Sequence, residues 1–140
     1  MRYWDSSALL PLLVKQAASA RTWELLSGDA AVVTWWGSAV ECASAIARLE
    51  REGLMTVEGA TTALSNLRSA TSSWIDIPAT PLVREQAIRL VRLHPLRAAD
   101  AVQLAAAIVA ADFQPSTVEF VTLDKRLGVA AEREGFTVVA

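Results

Sequence analysis

The sequence contains a single cysteine, Cys42, so no intramolecular disulfide can form and no zinc site built from several thiolates is possible. A reducing interior fits that usage. There is no excess of positive charge either: 13 basic against 15 acidic residues give a formal net charge of −2. With a pI near 5.4, bulk charge does not attract a polyanion, and any nucleic-acid contact has to be local. No long apolar run is present. The nearly uncharged stretch 101–111 contains Gln103 and falls far short of the roughly 20 apolar residues needed to cross a bilayer. The start, Met1-Arg2-Tyr3-Trp4-Asp5, lacks a charged segment followed by an apolar signal run, so the expected location is the cytoplasm, with no membrane partner. Gly-x-Ser-x-Gly elbows, Walker phosphate loops, internal repeats and low-complexity linkers are all missing.

What remains is a chain of 140 residues, 53% hydrophobic and 20% charged, which suits one domain over residues 1–140 and excludes extended disorder. Its mean hydropathy of +0.32 reports a packed core. Short strands alternate with longer helices. Residues 1–4 predict a first strand, and Ser6 or Ser7 can cap a helix carrying Leu9, Leu10, Leu12, Leu13 and Val14. A helix over 19–26 stops at Gly28, and the β-branched run 31–34 predicts a strand. Gly37-Ser38 opens a helix through Glu41, Ile46 and Leu49 that ends at Gly53. Residues 56–74 read as a helix capped by Thr56, with a short strand at 74–77. Thr80-Pro81 opens the next helix, and 98–111 form one buried on most sides. A strand at 118–122, a helix opened by Asp124 and ended by Gly135, and a last strand at 136–139 complete the chain. Such alternation favours an open, mostly parallel sheet with helices on both faces.

Ligands of these sheets bind beyond the carboxyl ends of the strands. Asp5 directly follows the first strand and Asp124 lies two residues after Thr122, while Glu41 and Asp100 sit near the starts of helices. Glu41 and Asp100 are flanked by small apolar residues, and burying unpaired carboxylates together is costly. A divalent cation with a preference for oxygen, magnesium or manganese, answers that cost directly. Each acid also has a plainer role: Asp5 and Asp124 can cap helices, Asp100 can serve a helix dipole and Glu41 can face water.

Several segments together resemble the PIN-domain ribonucleases, and among them the VapC toxins of toxin-antitoxin pairs. They are hydrophobic-Asp5-Ser6-Ser7-Ala8-Leu9, Glu41 in a mid-chain helix, Leu96-Arg97-Ala98-Ala99-Asp100-Ala101-x-x-Leu104, and Val121-Thr122-Leu123-Asp124-Lys125-Arg126-Leu127. The resemblance covers essentially the whole chain in order. It implies an α/β, PIN-like three-layer sandwich and a metal-dependent endoribonuclease. Asp5, Glu41, Asp100 and Asp124 then match the acidic positions that hold Mg2+, with Mn2+ as a substitute, and Asp124 is at the position that varies most. Ser6 and Thr122 match hydroxyl positions near the site, and Arg97 is the candidate phosphate contact. The implied partners are an RNA substrate and a cognate VapB-type antitoxin, with a homodimer that becomes a heterotetramer or larger on antitoxin binding.

Other readings stand beside this one: an RNA-processing PIN nuclease without an antitoxin, and a non-catalytic PIN-like module that binds RNA or protein. A phosphoryl-transfer enzyme with an Asp nucleophile after the first strand is demoted, because Ser7 stands where a second Asp is wanted. His94 is the one histidine, and a Cys42–His94 nucleophilic pair would need the two to meet; Cys42 among alanines reads as core. Of Trp35 and Trp36, at least one belongs to the core. The Leu-rich first helix and the helix from Thr56 can offer a groove to an antitoxin peptide or a second subunit.

Overall fold

The computed structural model describes all 140 residues. Five parallel strands form one sheet in the order β3-β2-β1-β4-β5. They are β1 (Arg2–Trp4), β2 (Val33–Trp35), β3 (Ile75–Ile77), β4 (Glu119–Val121) and β5 (Thr137–Val139). Seven helices connect them: α1 (Ser6–Leu13), α2 (Ser19–Gly28), α3 (Ser38–Arg51), α4 (Val57–Thr71), α5 (Pro81–Leu93), α6 (Ala98–Ala110) and α7 (Lys125–Arg133). This is the α/β three-layer sandwich that the alternation and the PIN resemblance imply.

Side chains of a strand alternate between faces, and here the alternation divides the core in two. Tyr3, Val33 and Phe120 join α5, α6 and α7 in one cluster, where the Tyr3 and Phe120 rings stack 5.4 Å apart. Trp4 and Val121 point the other way, into a cluster with Leu9 of α1, Leu25 of α2, Cys42 of α3 and Leu67 of α4. Helix α6 is the interior pillar: seven of its 13 residues are buried, and alanines at 101, 105, 106 and 107 let α5 and the sheet approach closely. Strands this short and all parallel are stable only with both faces covered.

Most boundaries fall within a residue or two of the expected ones. Thr80 caps α5 with Pro81 at its first turn, Thr56 caps α4, and Gly53 and Gly135 adopt positive φ just past α3 and α7. Three details differ. Of the candidate caps of α1, the structure uses Asp5, which accepts from the Ser7 amide, rather than Ser6 or Ser7, because β1 ends at Trp4 and leaves Asp5 extended at the turn. The second strand starts two residues later and ends one later than expected, taking in Trp35, which packs against the core; Trp36 is 60% exposed. Helix α4 ends at Thr71, three residues short, where Ser72 and Ser73 hydroxyls bond back to the preceding turn and compete with its continuation.

Gly37 is required by space. A Cβ there would run into the Trp35 indole nitrogen, so the chain can turn from β2 into α3 so tightly only with glycine. That turn sets the position of Glu41 one helical turn later.

Candidate active site

The strand order places the reversal of chain direction across the sheet at β1, whose neighbours are β2 and β4. A crevice opens at such a point beyond the strand ends. Asp5 emerges there from β1 and Thr122 from β4, and the Thr122 hydroxyl donates to Asp5 Oδ2. The same oxygen accepts from the Ser7 hydroxyl at 2.6 Å, and Oδ1 accepts from the Ser7 amide at 2.9 Å. Three donors fill three of about four acceptor directions of an ionised carboxylate. Asp5 is only 3% exposed and is therefore fixed in orientation. Burial pushes its carboxyl above the usual range, while the Ser7 and Thr122 hydroxyls pull the other way.

Glu41, on the first turn of α3, shares a hydroxyl with Asp5. Ser6 Oγ donates to Glu41 Oε2 at 2.6 Å and lies 3.3 Å from Asp5 Oδ1. Gln103 donates to the same Glu41 oxygen at 3.0 Å and to Ser38 Oγ at 2.8 Å. Its carbonyl accepts from the Tyr3 hydroxyl at 2.6 Å, and Ser38 Oγ lies 2.7 Å from Thr34 Oγ1, which donates to the Trp4 carbonyl. Burial raises the Glu41 carboxyl, Ser6 and Gln103 oppose it, and the charges of Asp5 and Asp100 raise it further.

Asp100 and Asp124 complete the rim without bonding to that network through their carboxylates. Asp124 caps α7, its Oδ1 accepting from the Leu127 amide at 3.1 Å; its own amide donates to Thr122 Oγ1 at 3.0 Å. Asp100, half-buried in the first turn of α6, is raised by burial, then by the charges of Asp124 and Asp5, with Arg97 opposing. At this rim the acids lie near enough for their charges to act on one another, Asp5 and Asp100 on Glu41, and Asp124 and Asp5 on Asp100. Burial ranks them differently from the sequence, however. Glu41 and Asp100, expected to be the embedded pair, are half-buried, and Asp5 is the deepest because it leaves the central strand.

None of the four carboxylates forms a salt bridge; the five ion pairs of the protein engage Asp29, Glu119, Glu24 and Glu134. An all-oxygen set of mutually repelling acids fits a hard divalent cation. No three of them close on a single point, so one or two carboxylates at a time would hold such an ion. A mouth of about 510 Å³ lined by Arg97, Ala99, Asp100, Asp124, Lys125 and Arg126 opens over Asp100 and Asp124. Arg97 is exposed, caps α6 by position without a side-chain bond, and pairs with no acid.

Gln103, Ser7 and Ser38 are positioning residues that the sequence reading missed. A signal was there: Gln103 lies three residues after Asp100 in an otherwise apolar run, and Ser38 three before Glu41, so each shares a helix face with an acid. Cys42 is a core residue on α3, its thiol pushed up to about 12 by burial and by the Glu41 and Asp5 charges. His94 lies in the other helical layer with its Nε2 on Glu134, so no Cys–His pair exists. A more apolar groove of about 430 Å³ between α5, α6 and Trp35 contains no carboxylate, and chemistry is absent from it. Between the C-terminal end of α1 and α4 lies a cleft of about 340 Å³, with Leu13, Val14 and Met55 beside Lys15, Glu58 and Asn66; it is of mixed polarity rather than a plain apolar groove.

No family model matches the sequence, and no curated protein matches it. Among solved structures, a chain of a toxin-antitoxin complex from Klebsiella pneumoniae superposes with a TM-score of 0.65 at 16% identity, over 100% of this chain and 97% of that one. At that identity the likeness establishes a shared fold over the full length of the domain.

Proposed function

We propose that this protein is a metal-dependent endoribonuclease that acts as the toxin of a toxin-antitoxin pair. The observation that carries the reading is the set of four carboxylates gathered at the strand ends with no basic side chain paired to them. Asp5 and Asp124 also cap helices, but capping accounts for neither Glu41 nor Asp100 nor for the mutual repulsion of the set. The structural neighbour from a toxin-antitoxin complex supports the toxin role and an antitoxin partner, and the quoted sequence elements support the PIN nuclease class.

When bound, Mg2+ or Mn2+ supplies Lewis acidity, lowering the pKa of water and neutralising charge on a phosphodiester. The protein's own groups prepare the site. Ser7 and Thr122 hold Asp5 in one rotamer, and Ser6 and Gln103 do the same for Glu41. Preorganised ligands of this kind save reorganisation during the reaction. Arg97 and Lys125 at the mouth would take up phosphate charge beside the acids.

The test is cleavage of structured RNA with magnesium or manganese, comparing the unaltered protein with Asp5→Asn and Asp100→Asn. Both variants should lose at least about a hundredfold in rate, as for loss of a group stabilising transition-state charge. Full activity in both variants, or equal cleavage in EDTA, overturns the site. Growth arrest on expression in a bacterial host, abolished by Asp5→Asn, is the expected result for the toxin role; a host indifferent to the active protein overturns that role alone.

A further inference from the structure

Beside the acid mouth lies a second cleft of about 220 Å³, lined by His94, Pro95, Arg126, Val129, Ala130 and Arg133. Arg126 lines both spaces, so the two adjoin at its side chain. Arg126 and Arg133 are seven residues apart on α7 and share a helix face, about 10 Å apart along the axis. Both are exposed, and neither has an ion-pair partner.

The carboxylate that follows Arg133 is engaged elsewhere. Glu134, which follows Arg133, points its carboxylate to Arg89 Nη2 at 2.5 Å and to His94 Nε2 at 2.9 Å. His94 is buried, and it forms the wall of the cleft. Lys125 and Arg126 also stand in the first turn of α7, and Arg97 at the start of α6, where the helix dipole disfavours cations. Those three cations stand without salt-bridge partners where the fold gains nothing from them, and Arg133, in the last turn of α7 where the dipole accepts a cation, extends their line of positive charge along the cleft.

Resting on the nuclease reading above, we propose that the Arg126–Arg133 face of α7 is a backbone-phosphate track that seats the RNA strand next to the scissile phosphate. Arg97 and Lys125 hold phosphate at the mouth, Arg126 takes the adjoining one, and Arg133 takes one further along the strand. The substrate class is therefore a single RNA strand long enough to span from the acids to Arg133. Recognition is by phosphate and independent of base.

The experiment is fluorescence anisotropy of a twelve-nucleotide oligouridylate in EDTA, titrated against salt. Arg133→Gln should weaken binding roughly two- to fivefold, the value of one exposed ion pair. It should also flatten the salt slope by about 0.7, the value of one phosphate contact on a single strand. Arg133→Lys should restore most of both. Arg48→Gln on α3 makes the same charge change far from the cleft and should alter neither. Equal weakening by Arg48→Gln, or no effect of Arg133→Gln on a protein that binds the RNA, overturns the track and leaves the nuclease reading standing. Competition by an oligoglutamate peptide as effective as unlabelled RNA overturns it in favour of an acidic protein partner. No binding by the unaltered protein overturns the track, and no cleavage in the assay above is what overturns the nuclease.

Discussion

Replacing Gln103 by leucine should expose how much the site depends on a residue that touches no substrate. Gln103 is 1% exposed and makes three hydrogen bonds, to the Tyr3 hydroxyl, Ser38 and Glu41. Each is worth about 1 kcal/mol net, and stranding the fully buried Tyr3 hydroxyl costs about 1–3 kcal/mol more; apolar contact by leucine offsets part of this. The expected loss is about 3 kcal/mol. A domain of this length has an unfolding entropy near 0.3 kcal/mol per kelvin, so the melting temperature should fall by about 10 °C. Calorimetry or urea denaturation measures it. The origin of the loss is tested by adding Tyr3→Phe, which removes the stranded hydroxyl: in that background Gln103→Leu should cost about 1–2 kcal/mol less. Glu41 also loses a donor that favours its ionised form, so manganese uptake should shift to higher pH. A loss below about 0.5 kcal/mol, or strict additivity of the two changes, would refute the network as described.

Further outcomes follow from the same geometry. In EDTA, stability should fall as pH rises from about 4 toward 7: Asp5, Glu41 and Asp100 are raised above ordinary values of 3.8 and 4.5, so the folded state binds the extra protons and loses that advantage as they leave. Glu134, held below 4.5 by Arg89 and His94 against its burial, works the other way and is lost only at more acid pH; chemical denaturation across pH, with and without manganese, reads the balance, and a metal-free stability rising toward pH 7 would contradict it. Native Cys42 should resist iodoacetamide at pH 8, because its thiol is buried and pushed up to about 12; rapid labelling by mass spectrometry would show α3 to be open. Gly37→Ala should cost about 1–3 kcal/mol by forcing the Trp35 indole aside, and an unchanged melting temperature would mean that the β2–α3 turn is loose.

Much of the architecture was legible because it rests on local rules. Thr80-Pro81 specifies a helix start and Gly135 a helix stop through backbone geometry alone. The apolar run around Asp100 could hardly be anything but an interior helix. Glu41 and Asp100 were legible for the opposite reason, as charges in places where local structure did not need them, whereas Asp5 and Asp124 also serve as helix caps. Their supporting residues were harder to see. Ser7 and Gln103 look like any surface serine or helix glutamine until the partner, a hundred or more residues away in sequence, is in view. Likewise Arg133 gives no local sign of differing from other arginines of a helix tail.

The sequence by itself determined the class of fold, the order of its elements and the identities of four carboxylates near helix starts, since periodicity, capping and turn chemistry act within a few residues. Tertiary structure alone decided that Asp5 and Thr122 meet, because only the adjacency of β1 and β4 brings two strand ends together. It also decided which acid is buried deepest, which hydroxyls fix it, and which arginines are left without counter-ions. Burial and electrostatic pairing depend on distances between residues remote in the chain, and those distances exist only once the sheet has formed.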